Sequence, residues 1–188
     1  MDQLKNKRSY AWRRKTGLSN IKTSAIAVVN PDFWIWLAGF IDGEGSFKVI
    51  VKKKVQTGIG FEVMPCIDIC QGIVRKNQMV KLSKELGSGL LIERKALIGN
   101  DMCSLNIYRI QDVKTVLGHV LPHLRFKKDD AEVFQEILRK IDRGEHLTVN
   151  GFLEIVHARE KIASGRTKPK TYRSYLWFEN YFSGGDNI

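Results

Sequence analysis

The sequence is short of cysteine. It holds three, Cys66, Cys70 and Cys103, among 188 residues. An odd count with no CxxC pair excludes a disulfide-stapled scaffold and a zinc knuckle. Cys66 and Cys70 stand four apart in a strand-like stretch and share one side of it, a poor metal pair that reads as ordinary reduced thiols. Long apolar runs are missing too. The longest, Phe33 to Ile41, falls well under the roughly 20 residues of a spanning helix, so membrane insertion is set aside. The N-terminus lacks the apolar segment that a secretory signal carries. There is no P-loop, no HExxH and no arrangement that suggests a serine or cysteine nucleophile. Gly58-x-Gly60 alone is too weak to mark a phosphate loop. Acidic residues are scarce beside basic ones, 20 against 31, for a formal charge of +11 and a pI near 9.7. That imbalance points to a polyanionic partner, nucleic acid first and an anionic membrane second.

What is present suits one domain with a real core and appended segments, since 43% of the residues are apolar. Residues 1–30 stand apart. They carry seven Lys or Arg against one acid, Asp2, with Tyr10 and Trp12 among the charges and no sustained apolar period. Three readings fit: an arm that condenses on phosphate and stacks on bases, a basic organelle presequence, or a solvated tail. The arm is favoured because the rest of the chain also suits nucleic acid.

Asp32, after Pro31, is placed to cap a helix that starts near Phe33. After Gly45 the period drops to two. Phe47, Val49 and Val51 alternate with Ser46, Lys48, Ile50, Lys52 and Lys54, which predicts a strand with a mostly basic face. Thr57-Gly58-Ile59-Gly60 is a turn. In the next strand Phe61, Val63, Pro65, Ile67 and Ile69 face one way and Glu62, Met64, Cys66 and Asp68 the other. Pro65 there suggests an edge or a bulge. The pattern then predicts a helix over 74–86 ending at Gly87, strands over 90–95 and 103–110, and helices over 111–120, 128–143 and 148–163. Residues 164–174 read as a basic loop, and a short aromatic helix closes the chain. The order is an α+β unit on a four-stranded, mostly antiparallel sheet.

Residues 37–45, LAGFIDGEG, resemble the signature of the LAGLIDADG homing endonucleases over nine consecutive positions. The element order, the basic charge and the single copy of the motif fit. The resemblance covers about residues 31–165 as an endonuclease domain, between the basic arm (1–30) and a C-terminal basic loop with a short helix (166–188). It implies the αββαββα core of that fold, with the sheet as a DNA-binding face. It also implies a homodimer in which the signature helices of two subunits pack together at the centre. Ala38 and Gly39 would let two backbones approach, against a helix penalty of about 1 kcal/mol for glycine. Trp36 and Asp42 join them in the expected dimer interface. Gly43 and Gly45 are expected to let the chain leave the helix tightly.

Taken alone, Glu44 reads as a solvated carboxylate in a turn. The resemblance makes it a catalytic metal ligand at a helix C-terminus, with the Gly43 carbonyl as a second ligand. The implied ion is Mg2+, with Mn2+ as a substitute. Glu44 stands where the family name has Asp, and either carboxylate serves. The resemblance further implies that Gln71, at the end of IDICQG, orders the attacking water. It implies that Lys127, in LPHLRFKKDDAEVF, shields charge at the scissile phosphate, and that Arg75 reaches the same region. Read without it, Gln71 is a strand-end hydrogen bonder and Lys127 a phosphate contact or a helix-start charge.

The expected recognition surface is the polar face of the sheet, because a β-ribbon fits the major groove. Its members are Ser46, Lys48, Ile50, Lys52 and Lys54 on the first strand and Glu62, Met64, Cys66 and Asp68 on the second. Ile92 and Arg94 come from the third, and Ser104, Asn106 and Tyr108 from the fourth. His119 and His123 flank Pro122 with no third ligand nearby. Asp129-Asp130 opens a helix, where acids stabilise free N–H groups. The implied activity is that of a homodimeric, metal-dependent homing endonuclease. It would cut both strands of a long, near-palindromic double-stranded DNA site and leave short 3′ overhangs. Two other readings use the same fold: a maturase bound to intron RNA, and a DNA-binding regulator without catalysis. The compartment stays open between an organelle (chloroplast or mitochondrion) and a prokaryotic cytoplasm.

Overall fold

A computed structural model describes residues 26, 30–96, 99–162 and 173–184. The arm expected over 1–30, apart from Ile26 and Asn30, and most of the loop over 164–174 lie outside the described residues.

Helix α1 spans Pro31–Glu44. Its cap is Asn30 rather than Asp32: the Asn30 side chain accepts the Asp32 N–H at 3.0 Å. Pro31, which has no N–H to lose, sits in the first turn. Asp32 instead adds its charge there, where the helix dipole favours it. β1 (Gly45–Lys53) and β2 (Phe61–Gly72) form an antiparallel hairpin. Its turn uses Gly60 at φ +76°, a backbone that glycine adopts without a Cβ clash. The Thr57 hydroxyl lies 2.8 and 2.9 Å from the carbonyls of Lys54 and Phe61, which ties the turn together. After a 3-10 turn over Ile73–Arg75, α2 runs Lys76–Leu86 and ends on left-handed Gly87, as its sequence position indicates. β3 (Leu90–Arg94), β4 (Met102–Ile107) and α3 (Ile110–Val120) follow. The fourth strand stops short of its expected end because Ile110 already opens α3. The chain continues through α4 (Lys128–Asp142), α5 (Val149–Ile162) and α6 (Tyr175–Phe182).

The four strands pair antiparallel in the order β1-β2-β4-β3. Pro65 lies on an interior strand, yet β4 pairs only with Ile67–Gly72. Pro65 opposes Val49 on β1, and its other side extends past the end of β4. The missing N–H therefore breaks no bond to β4, and the proline marks a local edge on a central strand.

One face of the sheet is apolar and covered by helices. Phe47, Ile67, Ile69, Leu105 and Ile107 are buried in one cluster with Leu37 and Ile41 of α1, Val116 of α3, Phe134 of α4 and Phe152 of α5. The Phe47 and Phe134 rings meet at 5.3 Å. α6, beyond the stretch that carries the family resemblance, is packed into the same core. Phe178 is 1% exposed, with its ring centroid 5.1 Å from both Phe61 and Phe152. Phe178→Ala should therefore cost about 3–5 kcal/mol, seen as a lower urea midpoint with an unchanged slope. A loss below about 1 kcal/mol would mean that α6 is not part of the cooperative unit.

Candidate active site and nucleic-acid interface

α1 has two faces. Leu37, Ala38 and Ile41 are wholly buried in the chain's own core. The opposite face carries Ile35 and Trp36, 52% and 53% exposed, with Gly39 and Gly43. Beyond the local backbone of the helix itself, no atom of the described chain lies within 4 Å of where a Cβ would stand on either glycine. Ile35, Gly39 and Gly43 are spaced by four, so they form one ridge. Ala38, expected on the docking face, is unavailable for it, and its small side chain serves internal packing instead. Trp36 and Gly39 do lie on the exposed side. Each glycine costs about 1 kcal/mol against alanine in a helix, and nothing within the described chain requires either one.

The end of α1 is held by a loop distant in sequence. The Asp42 carboxylate, expected in the dimer interface, is occupied within the chain. It accepts the backbone N–H of Arg125 at 2.7 Å and of Lys127 at 3.0 Å. The Lys127 ammonium returns to the helix and donates to the carbonyls of Ile41, at 3.0 Å, and of Asp42. Last-turn carbonyls carry the negative end of the helix dipole, where a cation is favoured by about 0.3–1 kcal/mol. Gly45 then opens β1, its N–H bonded to the Ile41 carbonyl. A Cβ on Gly45 would lie 2.8 Å from Ile41 backbone and side-chain atoms. Gly45 is required by close approach rather than by a left-handed backbone, for its φ is −88°. Gly43 stays inside the helix and is no part of the exit.

Glu44 is the last residue of α1 and is exposed. Among the described residues it makes no hydrogen bond or ion pair. Mg2+ binds through one or two carboxylates together with waters and substrate phosphates. A free carboxylate beside helix-end carbonyls fits that donor set. Lys127 already occupies the Ile41 and Asp42 carbonyls, and Gly43 supplies the next one along. No group of three or more His, Cys, Asp or Glu side chains that could hold an ion occurs among the described residues. The β1–β2 register pairs Gly45 with Ile69. Gln71 follows two residues later, half-buried, at the strand end where α1 stops, and pairs only with Cys103 of β4. Arg75 is exposed at the entry to α2. His119 and His123 share no partner among the described residues. His119 stacks on Trp34, with centroids 4.3 Å apart and planes at 11°.

On the sheet's polar face, Lys52 is exposed, and Ser46, Ile50, Met64, Ile92 and Tyr108 are half-buried. Lys54, just past β1, pairs with Glu62 at 2.5 Å. Cys66, Asp68, Ser104 and Asn106, expected to be open to a ligand, are buried within the chain. They belong to the two middle strands. Lys48 and Arg94, from the outer strands, both converge on Asp68 Oδ2, Arg94 at 3.7 Å. Burial, with the Asp68 charge second, pushes the Cys66 thiol up to about 12. Burial also raises the Cys103 thiol.

The sequence profile of the LAGLIDADG endonuclease family matches residues 37–140. A probable intron-encoded endonuclease of Neurospora crassa is 29% identical over 85% of this chain, which spans 30% of that protein's length. The DNA endonuclease I-CreI of Chlamydomonas reinhardtii is 24% identical over 78% of this chain and 90% of its own. The crystal structure of the homing endonuclease I-TnaI superposes with a TM-score of 0.67 at 26% identity, covering 83% of this chain and 97% of that one.

The closed sheet face can be checked with iodoacetamide at mildly alkaline pH. The native protein should take one adduct, at half-buried Cys70, because Cys66 and Cys103 are buried thiols that hold their protons. Mass spectrometry showing rapid labelling of Cys66 would contradict the arrangement of Lys48, Asp68 and Arg94 over it.

Proposed function

The chain belongs to the LAGLIDADG endonuclease family, and we propose that it is a site-specific, double-stranded DNA endonuclease that works as a homodimer with a divalent metal. The observation that carries this is the end of α1. An exposed, unpartnered Glu44 stands at the end of the Ile35–Gly39–Gly43 ridge, with the Lys127 ammonium bound to the same helix terminus.

The ridge suits a second copy. Two glycines without Cβ atoms let the backbones of two such helices approach, and Ile35 and Trp36 offer apolar area to bury. A twofold axis through the ridge is self-complementary and brings one Glu44 from each chain toward it. Two active ends then serve two DNA strands, and the symmetry suits a near-palindromic site cut with a stagger that leaves short 3′ overhangs. The lysines and Arg94 on the sheet dock its polar face in the major groove. The basic residues 1–30 add phosphate contacts beside it.

Glu44 and the Gly43 carbonyl would hold the ion, Mg2+ with Mn2+ as a substitute. When bound, it supplies positive charge to a phosphate oxygen and acidifies a water. The remaining work falls to the chain. Lys127, held by the α1 carbonyls, brings a cation beside the scissile phosphate, where negative charge builds up in the transition state. The Gln71 amide both donates and accepts, and so orients a water for attack. Arg75 adds positive charge toward the same phosphates.

Two variants test this. Glu44→Gln keeps the shape and removes the charge, so cleavage should fall by several orders of magnitude while a gel shift on the same duplex stays near the original. A Glu44→Gln protein that still cuts at close to the original rate would remove Glu44 from the mechanism. Gly39→Leu fills the ridge, and light scattering should then report a monomer that no longer cuts. An unmutated protein found as a monomer, and bound to DNA as one chain per site, would contradict the dimer.

A further inference from the structure

Lys127 stands where its own helix would favour another residue type. It is the N-cap of α4, and its side chain makes no cap bond. Ser, Thr, Asp and Asn are preferred at that position because they accept the free N–H groups of the first turn. A cation is also disfavoured at the positive end of a helix. α4 gains nothing from a lysine there, whereas α1 does. The ammonium reaches across to the Ile41 carbonyl, at 3.0 Å, and to that of Asp42. The Asp42 carboxylate, an acid at the negative end of its own helix, accepts the N–H of Lys127 on Oδ1 at 3.0 Å and that of Arg125 on Oδ2 at 2.7 Å. Asp42 and Lys127 therefore bind each other twice, side chain to main chain in both directions.

The loop between them has firm ends and an unpacked tip. Leu124 is 2% exposed in the core, and its N–H bonds the carbonyls of Val120 and Leu121. Ala131 is wholly buried, with its N–H on the Lys127 carbonyl. Between these anchors Arg125 and Phe126 are exposed, so packing leaves their path open and the carboxylate sets it. We propose that Asp42 is a positioning residue for cleavage. It fixes the main chain over Arg125–Lys127, and so the place of the Lys127 ammonium relative to Glu44. This rests on the reading of Lys127 as the cation at the scissile phosphate. Asp42 itself touches neither phosphate nor ion and acts through Lys127 alone. The two-sided acceptor is what the role requires. An asparagine in its place has one acceptor oxygen and sets its NH2 against the second N–H, so one of the two bonds is lost. A displacement of about 1 Å near the reacting atoms costs on the order of 10²-fold in rate.

The test is a double-mutant cycle on the full chain with Asp42→Asn, Lys127→Met and both together. Single-turnover cleavage is measured with magnesium at saturating protein, and binding to the same duplex with calcium in place of magnesium. Asp42→Asn should cut about 10²-fold more slowly while its affinity stays near the original, which shows that it still folds and docks. In the Lys127→Met background the same change should cost nothing further, because the group that it positions is gone. Three results overturn the proposal: an Asp42→Asn protein that cuts near the original rate, one that loses binding together with cleavage, or a loss that adds in full to that of Lys127→Met. Hydrogen exchange tests the clasp without mutation. The Arg125 amide, in an exposed loop, should be protected in the unmutated protein, and exchange at the free-peptide rate would also overturn the proposal. If Lys127→Met alone cuts at the original rate, the reading of Lys127 fails and takes the proposal with it. That single variant separates this case from a failure of Asp42.

Discussion

The Asp42 carboxylate joins the two parts of the chain on which the site depends. It belongs to α1, and it receives N–H groups from residues 83 and 85 positions later. Lys127 completes the clasp from the other side, with its ammonium on the carbonyls of the same helix turn. Each bond involves a charged group and is worth about 1.5–3 kcal/mol. Their weight lies in position. They hold a cation beside a free carboxylate, on a helix end that Gly45 and Ile41 already lock by close contact. Phe126, between the two clasped residues, is 91% exposed, but Leu124 just before them is buried in the core, so core packing anchors the loop and the hydrogen bonds set its tip.

The same helix carries three tasks on separate sides. Leu37, Ala38 and Ile41 anchor it in the core, Ile35, Gly39 and Gly43 form the ridge, and Glu44 ends it. Ala38 and Gly39 are neighbours in sequence and do opposite work. Ala38 is packed in the core with no exposed surface, whereas Gly39 faces open space, where the proposed dimer would bring a second backbone. The core face fixes the helix rigidly enough that the ridge and Glu44 keep a set relation to the sheet, which is what a cutter that reads sequence needs.

Much of the fold is legible in the amino-acid sequence. The period-two alternation of β1 and β2, the Gly87 stop, the element order and the nine-residue signature lead to the architecture and to Glu44. What is not legible has physical causes. Asn30 and Asp32 are both good caps on either side of Pro31, and only backbone geometry decides between them. Phe33 to Ile41 is apolar all round, so no periodicity separates the buried Ala38 from the exposed Gly39. Alternation puts Asp68, Ser104 and Asn106 on the polar face correctly. It carries no information on how long side chains from outer strands, Lys48 and Arg94, close over the middle ones. The Asp42 clasp spans more than eighty residues, and one sequence holds no trace of it.

The proposed activity rests on two α1 ridges that meet about a twofold axis and bring two Glu44 carboxylates to the cleavage point. The most direct measurement is anomalous scattering from manganese in a crystal of the full chain with a duplex that it binds specifically. Manganese density should lie against the Glu44 carboxylate of each of two chains, whose α1 helices cross at Gly39. Manganese bound away from Glu44, or two copies that meet through another face with both Glu44 side chains turned to solvent, would contradict this arrangement.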